Sequence, residues 1–279
     1  MIFDDSFYKL IIQEQDFDKQ KLNLTRGYSA IKTHQSRMNT NFSIKDIKNA
    51  LLGIDDSGYG LKNLSNNIDN IKELYKKLST DFEWIDDVRN NLLKYFSLQC
   101  VEDMYICPVI GYDAGIGIEN TVCVNFNYKP YQKNYKECIA VIIHEAAHVA
   151  FNRKHGMHLK FDTKNSVIEA LQYLIQYEGI GIYIAKEYRE SNNLINPNNN
   201  ALRDDYHVSE SDYKRLKTLY NKALSAKTYE EAIENAFEKE KLSHKLGYYI
   251  VNKYAELKGI DGIKEIINMN NKEFVKKFL

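Results

Sequence analysis

Apolar residues fall into two rhythms along the chain. From residue 1 to about 98 they recur at three- and four-residue intervals. Ile44–Leu52 is one such segment, and Ile68–Leu78 is another, with Ile68, Ile71, Leu74, Tyr75 and Leu78 on one stripe. That interval lines one face of a helix, so this region is expected to be helical. Gly53, Gly58 and Gly60 break the stripe and predict a loop. Near Cys100 the rhythm changes. Met104–Ile110 and Thr121–Phe126 are short, apolar and rich in β-branched residues, which predicts strands. The glycine-rich stretch between them, Gly111 to Gly117, reads as a hairpin loop, because the spacing of a phosphate-binding loop is absent. From Tyr135 the helical rhythm returns. It predicts helices over about 135–152, 166–189, 210–224, 228–241, 243–257 and 260–268, an Asn-rich loop over Ser191 to Asn200, and a short helical turn over Lys272 to Leu279.

The first of these later helices carries His144-Glu145-Ala146-Ala147-His148. Residues four apart on a helix lie one turn apart on the same face, so both imidazoles can reach one ion. Zinc binds neutral imidazole nitrogens at about 2 Å. Glu145, beside that face, can then take a proton from water and pass it to a leaving amine. The flanks Val141, Ile142, Ile143, Val149 and Ala150 are apolar. Two imidazoles and a carboxylate are costly to bury there without a partner, and a metal supplies one.

A catalytic zinc takes three protein ligands and keeps one position open. His155 and His158 are out of register for the third place and read as loop residues past the helix. Asp162 belongs to a helix-start signal with Thr163, Lys164 and Asn165. Glu169 and Glu178 lie on the next helix, nine residues apart and so on opposite faces at ~100° per residue. The face of Glu169 carries Asn165, Gln172, Tyr173 and Gln176 and reads as solvated. The face of Glu178 carries Leu171, Leu174, Ile175 and Ile182, where a carboxylate needs a strong partner. Glu178 is the better ligand, the alternative being a buried glutamate paired with Arg or Lys. Gly179 and Gly181 would let this helix pack closely on the motif helix.

His144-Glu-Ala-Ala-His148 followed thirty residues later by Glu178-Gly-Ile-Gly-Ile-Tyr resembles the gluzincins, and more narrowly the uncharacterised bacterial families of predicted zinc-dependent proteases. The resemblance covers about residues 100 to 275. It implies one catalytic Zn2+ held by His144, His148 and Glu178, with Glu145 as general base. Gly181 stands where those families carry alanine. His244-Lys-Leu-Gly-Tyr248 resembles a Tyr-x-x-Gly-Tyr segment of the same group, with His244 in the place of the first tyrosine. His244 and Tyr248 share a helix face, and either could donate to the oxyanion of a tetrahedral intermediate. The plain alternative is a core tyrosine and a surface histidine. Zincins bind the substrate backbone along a sheet edge, and Thr121–Phe126 is the expected edge here.

Composition narrows these expectations little. The 279 residues hold 38 basic and 38 acidic side chains, which gives no electrostatic argument for nucleic acid or an anionic membrane as a partner. No apolar run approaches the ~20 residues that span a bilayer. The N-terminus lacks a basic segment followed by a long apolar one, so a cytoplasmic location is expected. Cys100, Cys107, Cys123 and Cys138 form no C-x-x-C pair and read as free thiols. The expected fold is α+β and mostly helical: a helical N-terminal region over 1–98, and a zincin-like metallopeptidase domain with a small sheet over 99–279. The expected reaction is hydrolysis of a peptide or protein substrate by zinc-activated water. Two other readings fit the same residues. One is a zinc amidohydrolase acting on a small amide, deformylase-like, with Cys107 as a ligand. The other is a regulatory or sensor protein that binds zinc without turnover.

Overall fold

The computed structural model describes residues 1–38, 40–157, 159–195 and 208–279. The fold is α+β and mostly helical, with one four-stranded mixed sheet. The expected helix over 166–189 runs Lys164–Ser191, while part of the expected Asn-rich loop, and His158, lie outside the described residues. No helix of the described residues is long and apolar enough to cross a membrane.

Contacts divide the chain into two compact units, Met1–Leu93 with Ser97–Ala150 and Lys94–Phe96 with Phe151–Leu279. A boundary at 98 therefore does not describe the packing, because the N-terminal region is built into the sheet. In the first unit, β1 (Ile2–Phe3) is followed by helices α1 (Arg26–Met38), α2 (Ile44–Leu51), α3 (Ile68–Thr80) and α4 (Glu83–Leu93). Then come β2 (Tyr105–Val109), β3 (Gly115–Ile118), β4 (Thr121–Asn125) and the long helix α5 (Tyr135–His155), whose last turn belongs to the second unit. The sheet order is β1-β2-β4-β3. β1 pairs parallel to β2, β2 parallel to β4, and β3 antiparallel to β4.

The glycine-rich stretch departs from the expected hairpin loop. β2 and β4 run parallel, so no hairpin joins them; the hairpin is β3–β4, turning at Glu119 (φ 53°) and Asn120. Gly115, Ile116, Gly117 and Ile118 alternate with the two-residue period of a strand. The isoleucines fill one face, and the glycines face a close neighbour on the other. Helix α1 covers the isoleucine face. A Cβ on its Gly27 would sit 3.0 Å from Val109 Cγ1 and 3.4 Å from Cys107 Cβ, so the missing side chain lets it lie against the strands. Helix α5 covers the glycine face. It is buried nearly all round, as an apolar helix packed on several sides must be.

The second unit holds α6 (Lys164–Ser191), α7 (Glu210–Leu224), α8 (Leu242–Lys258), α9 (Ile260–Asn268) and α10 (Asn271–Phe278). Thr163 and Ser166 form a capping box that starts α6, and Gly259 (φ 63°) separates α8 from α9. The face of α6 that reads as solvated from sequence is partly core. Tyr173 is 4% exposed and Gln176 is fully buried, its Nε2 donating to the carbonyls of Ile266 and Met269 at 3.0 Å each. Asn165 and Glu169, at the start of that stripe, are exposed.

Candidate metal centre

The motif histidines meet as their spacing predicts. His144 and His148 lie one turn apart on α5, their rings edge-on with centroids 4.4 Å apart and their Nε2 atoms separated by 2.9 Å. His148 is 3% exposed and His144 half-buried. Two nitrogens 2.9 Å apart, each about 2.05 Å from one ion, subtend roughly 90° at it, so the pair fits a zinc-sized cation without rotating either ring far.

Strand β3 sets the bed for this turn of the helix. A Cβ on Gly117 would stand 2.4 Å from the Glu145 carbonyl oxygen and 3.3 Å from His148 Cβ. On Gly115 it would stand 2.6 Å from Val141 Cγ1, 2.9 Å from Glu145 Cγ and 3.2 Å from Glu145 Oε1. A side chain at Gly117 would push the motif turn off the sheet, and one at Gly115 would displace the Val141 and Glu145 side chains. The Glu145 side chain thus runs beside the backbone of a strand whose one strand neighbour, among the described residues, is β4. This corrects the expectation that Thr121–Phe126 lies at the edge. β4 is interior, between β2 and β3, because the Glu119–Asn120 turn folds β3 back along its outer side.

Glu178 lies on α6, with 13% of its side chain exposed and His244 Nε2 3.4 Å from its Oε2. The close packing predicted from its neighbouring glycine is present, but its partner within this unit is α8. A Cβ on Gly179 would come 2.5 Å from the Gly247 carbonyl, and one on Gly247 would come 2.0 Å from the Ile175 carbonyl oxygen. That contact fixes α6 against the helix that carries His244. His144 and His148 belong to the first unit and Glu178 to the second, and each is of a residue type that ligates zinc. Two imidazoles and a carboxylate are a donor set that suits zinc and leaves one position of a tetrahedron open.

The remaining sequence candidates separate. His244 keeps about a third of its side chain exposed. Tyr248, one turn on, is 4% exposed, and its hydroxyl donates to Asn252 Oδ1 at 3.2 Å while the Lys186 ammonium stands 5.3 Å from its ring centroid. Burial pushes the Tyr248 hydroxyl pKa up, and hydrogen bonding from Lys186 opposes the shift. His155 Nε2 lies 2.6 Å from the Ile267 carbonyl oxygen, and the Asp162 carboxylate accepts from Ser166. Cys107 is paired in register with Cys123, whose thiol faces the Gly27 carbonyl of α1. Both therefore point to the sheet face opposite α5, which removes Cys107 as a ligand beside His144. All four cysteines are free thiols.

Sequence reasoning passed over Gly115 and Gly117 as site-shaping residues. The available signal was their spacing of two, which a loop does not require and a strand pressed on a helix does.

No curated protein and no solved structure matches the chain. The sequence does match, over residues 2–279, the family described as "Putative zinc dependent peptidase (DUF5700)", and the chain belongs to that family.

Proposed function

We propose that this family member is a gluzincin-type metallopeptidase, in which His144, His148 and Glu178 hold one zinc ion and Glu145 is the general base. The observation that carries the reading is the His144–His148 pair, with Nε2 atoms 2.9 Å apart, and Glu145 next in sequence to His144 and lying against a strand. Zinc, when bound, acts as a Lewis acid that lowers the pKa of water and polarises a carbonyl. Glu145 accepts the proton from the attacking water and returns it to the leaving amine. Strand β3 offers its outer edge to the backbone of an extended peptide, which would lay a scissile bond beside Glu145. His244, next to Glu178, is better placed than Tyr248 to donate to the developing oxyanion, because the Tyr248 hydroxyl already serves Asn252.

Metal analysis joined to cleavage of a broad peptide library tests the reading. The purified protein is expected to carry one zinc per chain and to cleave a subset of peptides. Glu145→Gln is expected to keep the zinc and lose about 10²- to 10⁴-fold in kcat. His244→Ala is expected to lower kcat about 10²-fold with little change in KM. Full zinc with no cleavage of any peptide would replace the peptidase by the zinc-sensor reading.

A further inference from the structure

The turn that feeds β3 is held by a residue in a conformation it would not choose alone. Tyr112 has φ 70°, in the left-handed region that is costly for a bulky side chain, and follows Gly111 at φ 83°. Such a residue persists only where its surroundings over-determine it. Here they do. The ring is 3% exposed and meets His34, Phe42 and Tyr59 edge-on, with centroids 5.6, 5.3 and 5.7 Å away. Its hydroxyl lies 2.8 Å from His34 Nδ1 and 2.8 Å from Thr40 Oγ1. Its backbone N–H donates to the Tyr59 carbonyl at 2.7 Å. Gly60 has no room for a side chain there, since a Cβ would come 1.9 Å from the Tyr112 carbonyl oxygen.

Gly111 before it and Ala114 after it are tied to the sheet. Asn125 Oδ1 accepts from the Gly111 N–H at 2.9 Å, and the Asn125 N–H donates to the Ala114 carbonyl at 3.0 Å. The Tyr131 hydroxyl donates to the same carbonyl at 3.1 Å. The next residue is Gly115, in contact range of Glu145. All of these groups belong to the first unit.

We propose that Tyr112 is a positioning residue for the general base: its hydrogen-bonded anchorage to His34 and Thr40 fixes the 111–114 turn, and through it the Gly115–Gly117 bed on which the Glu145 side chain rests. His34, Thr40, Phe42, Tyr59 and Gly60 then belong to the machinery that aims Glu145. This rests on Glu145 being the base, as proposed above.

The test uses the full-length, zinc-loaded protein and three readouts: kcat and KM on a cleaved peptide, zinc content, and hydrogen–deuterium exchange of the 115–118 amides. Tyr112→Phe keeps the ring and removes both side-chain hydrogen bonds. It is expected to lower kcat about tenfold with KM within about twofold, because a displaced base costs rate and not binding. Zinc content is expected to hold, and the 115–118 amides to exchange about fivefold or more faster. His34→Ala is expected to act in the same direction. His34→Asn, whose amide can take the place of Nδ1, is expected to restore most of the rate. Tyr28→Phe, a buried tyrosine of the same helix as His34, is the control and is expected to change none of the three. If Tyr112→Phe does not fold, His34→Ala and Thr40→Val carry the same readouts.

Unchanged exchange at 115–118 in these variants would overturn the proposal, as would an equal loss of kcat in Tyr28→Phe. Should the wild-type protein cleave no peptide, the peptidase reading fails, and the exchange measurement alone decides whether Tyr112 holds the strand.

Discussion

Two glycine contacts, one in each unit, put the candidate donors in place, and they are built differently. In the first unit a strand lies on a helix. Gly117 meets helix backbone, while Gly115 meets side-chain atoms, Val141 Cγ1 and Glu145 Cγ and Oε1. In the second unit a helix lies on a helix, and Gly179 and Gly247 each meet the other helix's backbone. Side chains can rotate away from an added methyl group, whereas two packed backbones cannot. The contact near Glu178 should therefore answer a substitution with lost stability, and the contact at Gly115 with a misplaced Glu145.

Glu178→Ala is expected to weaken zinc affinity by more than about 100-fold, since removing a ligand should exceed the 10- to 100-fold cost of losing a group that only orients one. Glu169→Ala, at an exposed position, is expected to leave zinc affinity unchanged; competition with a chelator measures both. Gly247→Ala is expected to cost about 3 kcal/mol or more of unfolding free energy, the upper range for overpacking, because its nearest contact is a carbonyl oxygen at 2.0 Å. Denaturant titration reads this directly. Gly115→Ala is expected to cost about 1 kcal/mol in the same titration but roughly tenfold in kcat, because the displaced group is the base itself. Equal stability losses at 115 and 247 would erase the distinction.

The smallest effect concerns pH. Burial pushes the His34 imidazole pKa down; the Asp113 carboxylate opposes the shift and Arg37 adds to it. The neutral form is favoured in the folded state, so its contribution is complete above the ordinary histidine pKa of about 6.5 and fades as the pH falls below that value. Stability of the first unit is expected to decline below about pH 6.5 with a slope under ~1.4 kcal/mol per pH unit from this one group. His34→Asn is expected to remove that part of the slope, which parallel melts at pH 7 and pH 5.5 would show.

The legible parts of the molecule are those whose partners are near in sequence. The pairing of the His144 and His148 rings follows from a four-residue interval. The long helix bearing Glu178 follows from an apolar stripe that runs unbroken from Val167 to Ile184. Strand β1 has two residues and shows no periodicity at all. Gln176 looks solvated because its partners, the carbonyls of Ile266 and Met269, lie 90 and 93 residues away. Strand β3 is hidden because glycine signals a turn and also permits a close approach, and composition does not say which. The anchorage of Tyr112 joins residues 34, 40, 59 and 112, which no local window contains.

The parallel pairing of β1 with β2 has a kinetic consequence. Ile2 aligns with Tyr105, so the helices α1 to α4 form one crossover between neighbouring strands. Closing a loop of about 100 residues costs about 2 kcal/mol more entropy than closing one of ten. Non-local pairing of this kind slows folding, and the sheet should complete late, after its helices have formed. Because the turn that feeds Gly115 and Gly117 is anchored through Tyr112 to Thr40 and His34, 72 and 78 residues away and inside that crossover, the bed beneath Glu145 should be among the last parts of the first unit to acquire native protection. A refolding chain would then hold its two motif histidines in a helix before it has a base aimed to use them.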